Sequence, residues 1–223
     1  MEIMFDTANI SQIERMSEIY PYTGVTSNPT ILKAEGKVDF YQHFRTIRDI
    51  IGPERSLHVQ VIARDTEGIV TEAHKLLKNI DEGVYVKIPL NEAGLAAMTR
   101  LKRDGVRVTA TAIYSVTQAI LAMAADVDYL APYYNRMQAM DIDPIGIIRE
   151  LSSLIRQYDM DTKILAASFK NVHQITRALT AGSQAVTLAP NLLTEALGGA
   201  HITGAIDKFN SDWKKVYGTK ELP

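Results

Sequence analysis

A lysine inside a strand-like run is the first residue whose chemistry demands an explanation. It sits in Val84-Tyr85-Val86-Lys87-Ile88-Pro89. Along an extended chain alternate side chains face opposite ways. Val84, Val86 and Ile88 therefore share one face, and Tyr85 and Lys87 share the other. Lysine is almost never buried without a partner. Desolvation favours its neutral amine, which is the nucleophile that adds to a ketone or aldehyde to form an imine. The plainer alternative is a lysine that snorkels to water or pairs with a carboxylate.

Polar residues end most of the other strand-like runs. Asp6 closes the first, and Asn28 follows the second in Thr26-Ser27-Asn28-Pro29-Thr30. Gln60 lies in the third, and Thr109 and Thr111 in the fifth. Tyr133 and Arg136 follow the sixth, and Ser168 closes the seventh. Singly, each has a dull explanation as a cap, a turn residue or a core hydrogen-bonder. Together they make a set that can converge on one amine. Asp6, Tyr133 and a water held by Gln60 and Thr111 are suited to moving protons. Asn28 and Ser168 suit hydroxyl groups. Arg136 and Lys170, with the helix N-terminus expected at Asn171, suit a phosphate. Arg45 and Arg48, with Asp49 close by, look like a solvated helix face. His43, His58, His74, His173 and His201 show no metal-ligand spacing. They are expected to be structural or exposed, with no metal and no cofactor.

Eight extended segments position these residues: Glu2–Asp6, Thr23–Ser27, Leu57–Ile62, Val84–Pro89, Arg107–Thr111, Val127–Ala131, Ile164–Ser168 and Gln184–Ala189. Several are apolar on both faces, as parallel strands covered by helices are. Amphipathic stretches separate them. Ser115-Val-Thr-Gln118 and Asn171-Val-His-Gln174 look like capping boxes. Asp143-Pro144 places a cap before a first-turn proline, and Gly105 and Gly182 stand where helices should stop. An open doubly wound sheet usually carries a glycine-rich loop after its first strand, whereas Asp6-Thr7-Ala8-Asn9 stands here. The expectation is an α/β fold, a (β/α)8 TIM barrel with an additional C-terminal helix. No linker divides the 223 residues, so residues 1–223 read as one domain.

Composition narrows the function. The charge balance is 24 Lys+Arg against 26 Asp+Glu, a net −2, without the basic footprint of a nucleic-acid binder. There are 0 cysteines, which excludes disulfides, thiol nucleophiles and cysteine-ligated metals. Asp6 interrupts the N-terminal apolar run, unlike a signal peptide. The uncharged stretch Val108–Ala125 contains Thr109, Thr111, Ser115, Thr117 and Gln118, too polar for a membrane span. A cytoplasmic protein is expected, with no membrane partner.

Near the C-terminus, Ile202, Ile206, Phe209, Trp213 and Val216 recur at spacings of 4, 3, 4 and 3. This is the apolar stripe of a helix over about 201–219. It either folds over its own barrel or docks on a neighbouring subunit. A barrel of eight units is already closed without it, which favours the neighbour.

The segments MFDTANI, GVTSNPTILK, VQVIA, VKIPL, TATAIYS, APYYNR, LAASFKN and DKFNSDWKKVYG resemble the small-subunit transaldolase family, and within it the fructose-6-phosphate aldolase branch. The resemblance covers essentially the whole chain. It implies a (β/α)8 barrel with Lys87 as the imine lysine and Asp6 and Tyr133 as acid/base groups. It makes Gln60 and Thr111 the holders of the catalytic water. Asn28 and Ser168 would bind the dihydroxyacetone unit, and Arg136 the phosphate. It also implies a ring-shaped homo-oligomer, a decamer, in which the last helix reaches a neighbour. Transaldolases of the family usually have Glu at the Gln60 position and Phe at the Tyr133 position, so both residues here point to the aldolase. Thr109 stands where the aldolase is usually aliphatic, and Ala110 where it has Gly. The implied reaction is reversible cleavage of fructose 6-phosphate to dihydroxyacetone and glyceraldehyde 3-phosphate. The alternatives are transfer of the dihydroxyacetone unit between sugar phosphates, or a non-catalytic sugar-phosphate binding barrel.

Overall fold

All eight expected strands form in the computed structural model, which describes residues 1–222. They are β1 (Glu2–Asp6), β2 (Gly24–Thr26), β3 (Ser56–Gln60), β4 (Tyr85–Pro89), β5 (Val108–Ile113), β6 (Tyr129–Pro132), β7 (Lys163–Ala166) and β8 (Ala185–Leu188). Each pairs in parallel with its neighbours, and β8 returns to β1, so the sheet closes into a barrel. The helices are α1 (Ile10–Ile19), α2 (Pro29–Leu32), α3 (Phe40–Ile51), α4 (Thr66–Asn79), α5 (Glu92–Arg103), α6 (Val116–Ala124), α7 (Tyr134–Ala139), α8 (Pro144–Gln157), α9 (Val172–Thr180), α10 (Pro190–Leu197) and α11 (Ala200–Tyr217). This is the expected TIM barrel with a C-terminal helix.

Local sequence explains the helix starts. Ser115 and Gln118 cap α6 reciprocally, with both hydrogen bonds of the capping box present. Asp143 accepts from the Ile145 amide ahead of Pro144. Asn171 accepts from the Gln174 amide, but the Gln174 side chain accepts from the Lys170 amide instead of closing the box on Asn171. Several strand ends are shorter than the apolar runs suggest. The second stops before Ser27 because Asn28 turns the chain into α2. The seventh stops before Ser168, whose φ of 66° leaves the pleat. Ile62, expected in β3, lies outside it and is exposed.

Strand parity divides the burial. Val84, Val86 and Ile88 face the helices and join one large core with Ile13, Phe44, Ile47, Met98, Leu101 and Leu151. The other parity fills the barrel in tiers that follow from the strand register. Alternate strands supply the four members of each tier. The lowest closed tier is Gly24, Tyr85, Tyr129 and Ala185, two large residues against two small ones. A Cβ at Gly24 would lie 2.5 Å from the Ser56 carbonyl oxygen, so nothing larger fits there. Above it come Met4, His58, Thr109 and Leu165, then Thr26, Lys87, Ala131 and Thr187, and finally Asp6, Gln60, Thr111 and Ala167 at the C-terminal mouth.

One sequence expectation needs correction. Arg48 is not part of a solvated face. Its Nε lies 2.7 Å from Asp81 Oδ2, and its Nη1 donates to the Gly52 and Arg55 carbonyls, which ties α3 to the loops beside it. The last helix, α11, is not buried against its own barrel. None of its residues is buried, and Ile206, Phe209 and Val216 are 52%, 69% and 74% exposed. Ile202 and Trp213 of the stripe are half-buried, and Trp213 stacks on Tyr217 at 4.1 Å.

Candidate active site

Lys87 points into the barrel, as its parity requires, and is 3% exposed. Its Nζ donates to the Ser27 carbonyl at 3.4 Å, a long hydrogen bond. Among the described residues no carboxylate forms a salt bridge with it. The snorkelling and ion-paired alternatives are therefore both absent. The amine is enclosed, held by one carbonyl and free to meet a small molecule.

That molecule has somewhere to sit. A cavity of about 220 Å³ at the C-terminal mouth is lined by Lys87, Asp6, Asn28, Tyr133, Arg136, Ser168 and Lys170, among others. Seven of the nine sequence-predicted residues thus meet around one space. The other two lie in the top tier. Thr111 is fully buried and donates to the Tyr133 hydroxyl at 2.9 Å. Gln60 is the register partner of Lys87, but it lines two neighbouring cavities outside the one that holds the lysine. Its Oε1 is buried without a hydrogen-bond partner.

Each side chain is held by its element. Tyr133 follows β6 immediately, just before α7, and is buried. Arg136, three residues later and so on the same helical face, lies over the Tyr133 ring at 4.4 Å. Tyr114 meets the ring edge-on at 5.8 Å. Asp6 accepts from Thr26 at 2.7 Å, and Thr26 is 2.6 Å from Thr187, so two hydroxyls on the strands flanking β1 lead to the carboxylate. Asn28 caps α2: its Oδ1 accepts from the Thr30 and Ile31 amides. Cap and site roles are compatible, since the Asn28 Nδ2 still has donors to offer. The N-terminus of α9 is less open than expected, because the Lys170 and Gln174 amides are already bonded.

Sequence reasoning missed Thr26, Thr187 and Tyr114. The first two carry the same inward parity as Lys87 and were legible on that ground. It also missed two strained positions, Ala112 at φ 60° and Ser168 at φ 66°. Ala112 marks the register shift in β5 between Thr111 and Ile113. Positive φ costs a residue with a Cβ roughly 1–2 kcal/mol, and such strain gathers at functional sites.

His58 belongs to the tier beneath Lys87. It is structural, as expected, and fully buried. Its Nδ1 is 2.8 Å from Thr109 Oγ1, its ring stacks on Tyr85 at 4.6 Å, and its Nε2 has no partner. Burial pushes the imidazole down to about 3, and the positive charges of Lys87 and Arg48 add to the effect. It is a neutral floor. Among the described residues no three His, Asp or Glu side chains gather in a way that would hold a metal ion. No helix among them is long and apolar enough to cross a membrane.

An amine that can form an imine, a phenol and a carboxylate that can move protons, and two cations that can hold a phosphate suit carbon–carbon chemistry on a sugar phosphate. Comparison with known proteins points the same way. The family model for transaldolase/fructose-6-phosphate aldolase matches residues 3–220. The chain belongs to that family. A Streptococcus pneumoniae protein described as a probable fructose-6-phosphate aldolase is 45% identical over 222 residues, covering 100% of both chains. More distant solved structures share the fold alone. One, described as a native KDPGal structure, has a TM-score of 0.59 at 12% identity and covers 84% of this chain and 81% of its own. Inosine 5′-monophosphate dehydrogenase from Legionella pneumophila has a TM-score of 0.59 at 14% identity, with 86% and 58% covered.

Proposed function

We propose that the chain is a class I aldolase that reversibly cleaves fructose 6-phosphate to dihydroxyacetone and glyceraldehyde 3-phosphate. The observation that carries this reading is Lys87, buried and without a carboxylate partner, sharing one cavity with the Tyr133 phenol. The Lys87 amine adds its lone pair to the C2 carbonyl. Asp6, Tyr133 and a water held by Gln60 and Thr111 carry protons so that the carbinolamine loses water and becomes an iminium. The iminium accepts the electron pair of the C3–C4 bond, the C4 hydroxyl loses its proton, and glyceraldehyde 3-phosphate leaves. The enamine is protonated at carbon, and water releases dihydroxyacetone and the free amine. Asn28 and Ser168 bind the hydroxyls of the three-carbon unit, and Arg136 and Lys170 hold the phosphate.

The phenol favours cleavage over transfer, because a hydroxyl at position 133 supplies a proton to the enamine where a phenylalanine has none. The wild-type protein is given fructose 6-phosphate alone. An aldolase turns it over, a transaldolase requires an acceptor aldose, and a binding barrel does neither. Borohydride reduction with dihydroxyacetone, followed by peptide mass mapping, should fix the adduct to Lys87. Lys87→Met should fold and lose all carbon–carbon chemistry. An adduct on another lysine would overturn the site.

The same reading assigns a homo-oligomer, a decamer, with α11 on a neighbouring subunit. The exposed stripe of Ile206, Phe209 and Val216 supports it. The cytoplasm is the compartment it assigns, on the sequence grounds given above.

A further inference from the structure

We infer that Arg136 is a positioning residue for Tyr133 as well as a phosphate ligand, so that one guanidinium serves substrate binding and proton transfer together. The inference rests on the aldolase reading. It is carried by the directional contacts on the phenol. Thr111 holds the hydroxyl at 2.9 Å, Tyr114 meets one edge of the ring at 5.8 Å, and Arg136 covers a face at 4.4 Å. The short helix α7 makes this stacking local. Tyr133 stands immediately before its first residue and Arg136 lies in its first turn, so the guanidinium folds back on the ring. Both residues line the cavity that contains Lys87.

Arg136 is exposed at the cavity mouth, whereas the ring beneath it is buried. One side of the planar guanidinium therefore packs on the phenol, while its N–H groups remain available to an anion. A phosphate seated there holds the guanidinium in place, and the guanidinium holds the ring. The position of the hydroxyl then depends on a group that touches none of the reacting atoms.

A phosphate ligand and a ring brace leave different kinetic marks. Loss of phosphate binding raises KM. Loss of the brace lowers kcat at saturation, and does so through the Tyr133 hydroxyl. A cation–π contact at an exposed site is worth about 0.5–1 kcal/mol, a factor of roughly 2–5. Arg136→Met and Arg136→Lys are assayed at saturating substrate with fructose 6-phosphate, and in aldol synthesis from dihydroxyacetone and glyceraldehyde, which carry no phosphate. Arg136→Met should raise KM for the phosphorylated substrate and lower kcat about 2–5-fold on both. Arg136→Lys should restore most of the KM and less of the kcat, because an ammonium lacks the planar surface. In a Tyr133→Phe background, Arg136→Met should cause no further loss of kcat. An unchanged kcat in Arg136→Met, or an equal loss with and without the Tyr133 hydroxyl, overturns the brace and leaves the aldolase reading standing. A wild-type protein that neither turns over fructose 6-phosphate nor traps dihydroxyacetone on Lys87 removes the aldolase reading, and the brace falls with it.

Discussion

Replacing Tyr133 with phenylalanine removes one oxygen from the site and little else. The ring stays, so the Arg136 contact at 4.4 Å and the Tyr114 edge at 5.8 Å persist. The hydroxyl that disappears is the acceptor of the Thr111 hydrogen bond, and Thr111 is fully buried. An orphaned buried hydroxyl costs roughly 1–3 kcal/mol. At the lower end of that range, a chain of this size should lose about 2–4 °C in Tm. The effect on chemistry should be much larger. A positioned acid/base group contributes roughly 10²–10⁴-fold. Cleavage of fructose 6-phosphate, followed through glyceraldehyde 3-phosphate release, should therefore drop by about 10²-fold or more, a barrier increase of about 2.7 kcal/mol. Borohydride trapping of dihydroxyacetone on Lys87 should survive, because Asp6 and the bound water still carry protons for imine formation. A variant that melts lower yet cleaves at the wild-type rate would reduce Tyr133 to a structural hydrogen-bonder. Loss of both cleavage and trapping would mean that the substitution collapsed the site, and the proton-transfer role would be withdrawn.

Two further predictions follow from the barrel floor and the last helix. His58 titrates near 6.5 when unfolded and is pushed down to about 3 in the fold. Between those values only the unfolded chain takes up the proton, so stability should fall as pH drops from about 6.5 towards 3, by a few kcal/mol in total. Urea midpoints of the wild type and His58→Phe at pH 4.5 and 7 should show a shallower pH dependence in the variant, and equal slopes would refute it. Deleting residues 201–223 should shrink the assembly measured by size exclusion with light scattering, whereas a full-length chain that runs as a monomer at micromolar concentration would end the oligomer proposal.

Much of the fold was legible in the residues because the periodicities were strong. All eight strands appear where alternating or continuous apolar runs stand between helical repeats. The boundaries were less legible. Ser27 and Ser168 looked like strand ends, but Asn28 and the left-handed turn at Ser168 take the chain out of the sheet first. The site residues were legible through parity and position at strand ends, a rule that reached Lys87, Asp6 and Thr111. It passed over Thr26 and Thr187, which share the parity but look like ordinary β-branched strand residues. The stacking of Arg136 on Tyr133 was invisible, because it depends on α7 starting immediately after the strand. Arg48 was misread because nothing in its own helix announces Asp81, 33 residues away.

The vertical order of the barrel interior explains why one lysine can carry the chemistry. The two lower closed tiers hold Tyr85, Tyr129, Met4, Leu165 and His58, and the two upper ones hold Lys87, Asp6, Gln60 and three threonines. His58 stands at the boundary, and it is the one place where a second cation beneath the lysine would be conceivable. Burial excludes it first, and repulsion from Lys87 reinforces the exclusion. The floor beneath the amine therefore stays uncharged. The hydrogen bond to Thr109 keeps the imidazole satisfied on one side without needing that charge. If Thr109 were aliphatic, as is usual in the aldolase, His58 would have no side-chain partner for either ring nitrogen, at a cost of roughly 1–3 kcal/mol. The departure at Thr109 is thus matched by the histidine beside it, and the two are best read as one polar pair set under the lysine.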